Sequence, residues 1–383
     1  MFAQTTQTVR ILQILVASTI TLTLFFTFSQ LGSGSVYDGG HNTHTTLPHS
    51  WTKGQASPFS AELPRPRLAN STLDFQEIIY VSMPYRTDRQ DALSLIAAIS
   101  GLKLTMIPGV SADDIHPKAI PPHTSEDSLE GTPVLGIWRA HANVWRYIID
   151  NDITSALIIE DDVDWDVNIK QIMGLLNWQL RFNNTIRWSE GNIENGWTED
   201  CPYGCDWDEL FFGQCGSGPN LDRLDLHQVY SDPHSPPLSA IDTWTREEMT
   251  QIYNLTESAG IRLVAATYQP ICLMGYAVSR MGAMRLLYNI GGWHPLNGPV
   301  DNEIADRTGK GLLSGYTINP PLFSAWRVGG SQDSDNDAGM NGKAVSNKGN
   351  IDGHSPAMLN SVRKSLDAAL MKNYWEDRIR DGR

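Results

Sequence analysis

Three consecutive acids, Glu160-Asp161-Asp162, close a short apolar run, Ala156-Leu157-Ile158-Ile159. A few β-favouring residues with no alternation and an abrupt polar stop read as a buried strand. In an open α/β sheet, ligands bind at the carboxyl ends of strands, so these acids belong at a rim where a metal ion and an anionic ligand can meet. Hard carboxylate oxygens suit magnesium or manganese, which are often held by one or two carboxylates together with substrate phosphates. The plainer alternative is a solvated acidic turn behind a core strand. Arg86 and Arg89 follow another apolar run, Ile78–Ser82, and would lie near its carboxyl end, where a diphosphate or nucleotide could rest; the alternative is two surface arginines. His141 falls within a helical pattern in which Val144, Tyr147 and Ile148 share a face, so a structural role and a ligand contact both stay open. Asp301 stands near the start of a helix opened by Gly298-Pro299-Val300. It can cap that helix or take a proton from a hydroxyl, and Glu303 is the second carboxylate there.

The elements that position these groups alternate in type. The folded region is expected to begin at Glu77 with a strand over 78–82. A turn, Met83–Arg89, then opens a helix to about Ser100, capped by Thr87 or Asp88. Leu104–Ile107 is a second strand, and 113–130 is a loop rich in proline and acids. A helix runs on from His141 to Asp150, followed by the acid-tipped strand and a helix from about Asp166 to Arg181. Strand–helix alternation implies parallel strands with helices on both faces. The stretch 183–220 breaks the pattern, although Trp207–Gly213 can form a sheet strand. Tyr230–Leu238, with three prolines, must be extended or turn. Thr245–Ala259 reads as helix, Arg262–Thr267 as strand, and Ile271–Val278 as an apolar run leading into the helix Ser279–Tyr288. Tyr316–Phe323 ends the core. Ser331–Gly353, dense in Ser, Asp, Asn and Gly, is either a disordered loop or a lid ordering over substrate.

The chain has 383 residues, enough for one large domain or two smaller ones, and its 41% hydrophobic content is that of a globular protein. Its net charge of −14 argues against a nucleic-acid partner. The same charge requires a local cation, metal or arginine, for any phosphate-bearing substrate. Ile11–Leu31 carries no charged residue and at 1.5 Å per residue spans the roughly 30 Å hydrocarbon core. It is expected to be a transmembrane signal anchor, with 1–10 as a cytoplasmic tail, 32–75 as a flexible stem and 76–383 as the globular domain across the membrane. A cleaved signal peptide, with Gly32–Ser35 at the cleavage site, is the rival. Asn70-Ser71-Thr72, Asn183-Asn184-Thr185 and Asn254-Leu255-Thr256 match the N-glycosylation pattern of lumenal proteins. Of the four cysteines, Cys201, Cys205 and Cys215 are expected to supply a disulfide, while Cys272, alone in an apolar run, reads as a buried small hydrophobe. A zinc site lacks a fourth ligand at a recognisable spacing.

Five segments occur in an order that resembles a known family. They are Ile78–Arg89 (IIYVSMPYRTDR), Gly136–His141, the strand ending in Glu160-Asp161-Asp162, Gly275–Arg280 with Ala283, and Pro299-Val300-Asp301. Together they resemble glycosyltransferase family 25, the lipopolysaccharide- and collagen-type galactosyltransferases. Pro202-Tyr203-Gly204 and Trp207–Gly216 resemble its fungal membrane-anchored branch. The resemblance covers roughly residues 76–325. It implies an α/β, GT-A-like nucleotide-sugar transferase fold with a mixed, mostly parallel sheet. It also implies transfer of a hexose, often galactose, from a UDP-sugar to a hydroxyl of a glycan or glycoprotein acceptor, with inversion. Carried onto this chain, Glu160, Asp161 and Asp162 take the place of the DxD-like metal motif for Mn2+ or Mg2+. Arg86, Asp88 and Arg89 fall in the donor-binding turn with His141 nearby, and Asp301 falls in the downstream acidic motif. With the anchor, this places the protein in the Golgi membrane as a single-pass type II protein; the endoplasmic reticulum or secretion are the alternatives. The chain ends Arg380-Asp381-Gly382-Arg383 rather than in an ER-retention tetrapeptide.

One motif departs. Where the family has Gly-Cys-x-x-Ser-His, this chain has Gly136-Ile137-Trp138-Arg139-Ala140-His141, so any ligand contact of that Ser is absent. Other chemistries fit less well. An EF-hand starting at Asp162 would put Val167 sixth and Met173 twelfth, and one starting at Asp333 would put Ala338 and Ala344 there, where Gly and Glu are required. A phosphotransferase would want GxxxxGK[ST], which the chain lacks. A non-catalytic carbohydrate-binding or scaffold protein on the same fold is the remaining alternative.

Overall fold

The computed structural model describes residues 65–123, 132–182, 202–204, 206–256, 260–326 and 353–371. The anchor 11–31, the tail 1–10, the stem up to residue 64, the Asn183 sequon, Cys201, Cys205 and the stretch 331–352 lie outside the described residues. Among the described residues, no helix is long and apolar enough to cross a membrane.

In chain order the elements are β1 (Glu77–Ser82), α1 (Thr87–Ser100), β2 (Thr105–Pro108), α2 (Pro133–Asp150), β3 (Ser155–Glu160), β4 (Val163–Trp165), α3 (Ile169–Phe182), β5 (Glu209–Gly213) and β6 (His227–Ser231). Then come α4 (Thr243–Glu247), β7 (Ile261–Ala266), β8 (Gly275–Ser279), α5 (Arg280–Ile290), α6 (Val300–Gly309), β9 (Gly315–Asn319), β10 (Phe323–Ala325) and α7 (Val362–Leu370). Among the described residues, eight strands form one sheet in the order β2-β1-β3-β8-β5-β9-β7-β6. β1 pairs in parallel with β2 and β3, and β5 in parallel with β9. β8 runs antiparallel between β3 and β5, and β7 antiparallel between β9 and β6. The sheet is therefore mixed: among the described strands six of the eight run in one direction, with β7 and β8 reversed, a Rossmann-like α/β arrangement. The carboxyl ends of β1, β2, β3, β5 and β9 share one edge with the start of β8.

Alternating side chains divide two apolar layers about this sheet. Leu157, Ile159, Leu210 and Phe212 face Leu93 and Ile96 of α1 and Ile172, Met173 and Leu176 of α3. Ile158, Phe211, Tyr276 and Val278 face Trp138, Trp145 and Ile148 of α2, with Ala283 and Leu286 of α5 and Ile304 of α6. Trp145 is fully buried. Burial of this kind contributes about 1.5–3 kcal/mol per large side chain, which is why the central strands read as unbroken apolar runs. Gly101, at φ +63, ends α1 in the left-handed conformation, and its N–H reaches Ala98 O at 3.1 Å.

Several expectations need correction. The fold starts before Glu77: Ala69, Leu73 and Phe75 are buried, Ala69 N–H donates to Lys170 O, and the Tyr203 hydroxyl donates to Leu73 O at 2.6 Å. These apolar residues, within the stretch the sequence reads as stem, are too few to show a period. Arg86, not Thr87 or Asp88, is the N-cap of α1 and makes no side-chain cap. The helix placed at 245–259 is shorter, α4 passing into a π-turn over Glu248–Ile252. β4, β6, β10 and α7 were not foreseen. Cys272 is not a lone hydrophobe but is disulfide-bonded to Cys215, with Cα atoms 5.5 Å apart. Their segments run side by side, Cys215 N–H donating to Ile271 O and Gly216 bridging Ile271, a pairing hidden by a sequence separation of 57.

Candidate functional site

Ser82 ends β1, and the turn Met83–Arg86 folds back so that Arg86 N–H donates to Met83 O at 2.9 Å. One turn into α1, Arg89 points over the sheet edge. Its Nη1 lies 2.7 Å from Asp161 Oδ1 and 3.3 Å from Asp162 Oδ2. Asp161 is also held by the Ser82 hydroxyl, which donates to Oδ2 at 2.7 Å, and Gln90 Nε2 donates to that hydroxyl at 3.2 Å. The strand ends β1 and β3 and helix α1 are thus joined through one carboxylate. Arg86 turns the other way and grips Asp88 with Nε and Nη2, each at 3.0 Å. Of the three donor-turn residues, Arg89 lines the cavity described next.

That cavity, about 430 Å³, opens at the carboxyl ends of β1, β2 and β3. Ser82, Tyr85 and Arg89 form one wall and Gly109–Asp113 a second. Gly136, Ile137, Ala140 and His141 of α2 form a third, and Glu160-Asp161-Asp162 close it. Gly136 lets α2 approach the strand: a Cβ there would sit 2.4 Å from Val110 O. His141 is buried, and its Nδ1 lies 2.8 Å from the Tyr276 hydroxyl. Burial pulls its pKa down to about 4, so the ring is neutral near pH 7.

The three acids are not equivalent. Asp161 is spent on Ser82 and Arg89. Burial raises its pKa while Arg89 opposes the rise. Glu160 is pushed up to about 8, first by burial and then by Asp162 and Asp161, with Arg89 opposing and Asp301 adding. Burial alone would lower the Arg89 pKa, but Asp162 and Asp161 together raise it. Asp162 Oδ1 is buried and has no hydrogen-bond partner among the described residues. Three acids crowd this wall beside one lining cation, Arg89, and one carboxylate oxygen is left unsatisfied. Both features suit a divalent cation. Among the described residues no three His, Cys, Asp or Glu side chains converge into a closed metal cage. The donor set fits an ion that takes one or two carboxylates here and its remaining oxygens from substrate phosphate and water.

Asp301 stands in the first turn of α6. Its Oδ2 accepts the Cys272 N–H at 3.0 Å. Cys272 is in the left-handed conformation, φ +64, and is tied to Cys215 by the disulfide, so a constrained turn holds the carboxylate. Asp301 lies near enough to Glu160 to raise its pKa. Glu303 faces elsewhere and is committed: Oε1 accepts Asn297 N–H at 2.9 Å and Oε2 pairs with Arg307 at 3.2 Å.

Sequence reasoning missed the groups that hold the acidic loop from behind. Trp326 N–H donates to Asp162 O at 2.7 Å. Arg363 Nη2 and Nε donate to the carbonyls of Asp161 and Val163, and the guanidinium lies 5.6 Å from the Trp326 ring centroid. No local signal joins residues 200 positions apart. Ser82 was more findable, being a hydroxyl at the last position of a strand beside the acid-tipped one.

No family model matches the chain. Over 114 aligned residues the chain is 26% identical to procollagen galactosyltransferase 1 of Danio rerio. The match takes in 26% of this chain and 18% of that protein. The similarity is to a galactosyltransferase, and it covers under a fifth of the relative's length.

Proposed function

We propose that the protein is a glycosyltransferase with a GT-A-like site, moving a hexose, with galactose the first candidate, from a UDP-sugar to a hydroxyl of a glycan or glycoprotein acceptor, with inversion. The observation that carries the reading is the cavity at the carboxyl ends of β1–β3, where Arg89 and the undercompensated Glu160-Asp161-Asp162 share a wall. The partial likeness to a galactosyltransferase supports it.

Arg89 would bind and orient the diphosphate. Asp162, with Glu160, would hold Mn2+ or Mg2+, which would supply charge neutralisation for the departing diphosphate. The acceptor oxygen attacks the anomeric carbon, the bond from that carbon to the phosphate oxygen breaks, and UDP leaves. Asp301 takes the hydroxyl proton; Glu303, bonded to Asn297 and Arg307, is the weaker candidate. Arg86 and Asp88, paired with each other, would shape the donor turn. The Cys215–Cys272 disulfide and the apolar stretch 11–31 support a lumenal domain on a type II anchor in the Golgi membrane.

A screen of common nucleotide sugars with Mn2+ or Mg2+, reading released nucleoside diphosphate, tests this. Release from a UDP-hexose that a chelator abolishes is the expected result. Sugar affinity without turnover by any donor would instead favour a carbohydrate-binding or scaffold protein.

A further inference from the structure

Tyr276 stands in the middle of the sheet with its hydroxyl between two side chains of α2. Trp145 Nε1–H donates to it at 3.1 Å, and His141 Nδ1 lies 2.8 Å away. All three side chains are buried. An indole nitrogen only donates, so the first bond has a fixed direction. The phenol proton then needs an acceptor, and His141 Nδ1 is the one within reach among the described residues. The reverse arrangement, Nδ1–H donating to Tyr276, would leave a buried O–H with no acceptor, which native interiors avoid. The bonds therefore run Trp145 to Tyr276 to His141, and the imidazole proton sits on Nε2.

We infer that this relay presents His141 Nε2–H as a fixed hydrogen-bond donor in the wall of the cavity, where it binds an acceptor oxygen on the nucleoside of the donor substrate. The wall around His141, made by Gly136, Ile137 and Ala140, carries no charge and suits a nucleoside; Arg89 and the acids elsewhere in the lining suit the diphosphate. Tyr276 and Trp145 act as positioning residues. The neutral state of His141, a consequence of its burial, agrees with this. The inference rests on the UDP-sugar reading for its ligand, but not for the relay.

Two measurements on the full chain test it. Nitrogen-15 NMR of labelled histidines, without ligand, reports the His141 tautomer directly. The Nε2–H form is expected in the wild type and in Trp145→Phe, where the phenol proton still needs Nδ1 as acceptor, and a mixture in Tyr276→Phe. An Nδ1–H or doubly protonated wild-type ring overturns the relay. Calorimetry with UDP and with inorganic pyrophosphate then reads the contact. Tyr276→Phe and His141→Phe should each weaken UDP binding by roughly tenfold, the loss of one oriented hydrogen bond, and leave pyrophosphate unchanged. His141→Gln, whose amide can donate from near the Nε2 position, should recover most of the affinity. Equal UDP affinity in wild type and Tyr276→Phe, or equal weakening for pyrophosphate, overturns the nucleoside contact. A wild type that binds no UDP sinks the donor assignment instead, and the NMR result still decides the relay.

Discussion

Asp164 and Asp166 lie just beyond Glu160-Asp161-Asp162, yet the two acid groups have opposite surroundings. Asp164 is completely buried, and both of its oxygens are used. Oδ2 accepts from the hydroxyls of Ser355 and Ser361, and Oδ1 from the N–H groups of Trp165 and Arg363. Asp166 takes the Asn168 N–H and side-chain amide on Oδ1 and the Asn360 N–H on Oδ2. The earlier acids crowd one another, with Asp162 Oδ1 unsatisfied and Glu160 held near pKa 8. Burial separates the groups only in part, Asp161 being buried like Asp164 and Asp166 while Glu160 and Asp162 are half-buried; satisfaction separates Asp162 from the later pair more sharply. A carboxylate whose lone pairs are filled by its own chain is part of the architecture. One left short of partners beside a cavity is available to a cation or a substrate.

The comparison breaks most visibly at Asp162. Asp162→Asn removes a charge but keeps the shape. Metal-dependent UDP release should fall by about 10²–10³-fold in kcat, as when a group stabilising developing charge is lost. The melting temperature should hold or rise, because the repulsion on Glu160 is relieved. Undiminished metal-dependent turnover would remove Asp162 from the site.

Asp164→Ala should do the reverse. It strips the acceptor from two serine hydroxyls and two backbone N–H groups in a buried setting and should cost about 3 kcal/mol of stability, read from urea unfolding. Metal affinity of the folded protein should change less than in Asp162→Asn. A variant of wild-type stability would show that the segment 353–371 does not hold the acidic loop.

The sequence made the core legible wherever a single element carried its own signal. β1, β3 and β8 are unbroken apolar runs because both faces of the sheet are covered, and Gly101 and Ser279 mark a helix end and a helix start. Arg89 and the acids could be placed at a strand rim by position alone. Position and resemblance set Glu160-Asp161-Asp162 apart from Asp164 and Asp166, but the reason the later pair is structural is invisible in the sequence, because Ser355, Asn360, Ser361 and Arg363, which fill their oxygens, are distant. Cys272 was misread for the same reason: Cys215 becomes its neighbour only through the antiparallel pairing of two loops.

That disulfide offers a finer test, since it acts on Asp301 at one remove. Replacing both Cys215 and Cys272 by Ser frees the turn that aims the Cys272 N–H at Asp301. Turnover should drop roughly tenfold, with KM for the donor little changed, because the proposed donor cavity lies at the ends of β1–β3 while the turn positions the proposed base. A drop confined to donor KM would move Asp301 from base to donor contact.

Glu248 sharpens the distinction at its weakest point, being buried with hydrogen bonds but no cation beside it among the described residues. Its Oε2 accepts from Asn319 Nδ2 at 3.1 Å and from the Ser217 hydroxyl at 3.4 Å, yet burial still pushes its pKa up to about 7 from 4.5. Between those two values the folded state binds a proton that the unfolded chain has released. Stability from this group is thus fully present below about pH 4.5, falls as pH rises, and levels off above about 7. The loss is on the order of 1–2 kcal/mol over that window, since one pKa unit is worth about 1.4 kcal/mol and burial shifts are only partly realised. Glu248→Gln keeps an acceptor oxygen for Asn319 and cannot ionise. The difference in unfolding free energy between wild type and variant, followed by urea titration from pH 4 to 8, should move in the variant's favour across the window. A difference independent of pH would place Glu248 with Asp164, among the acids whose charge the fold has already accommodated.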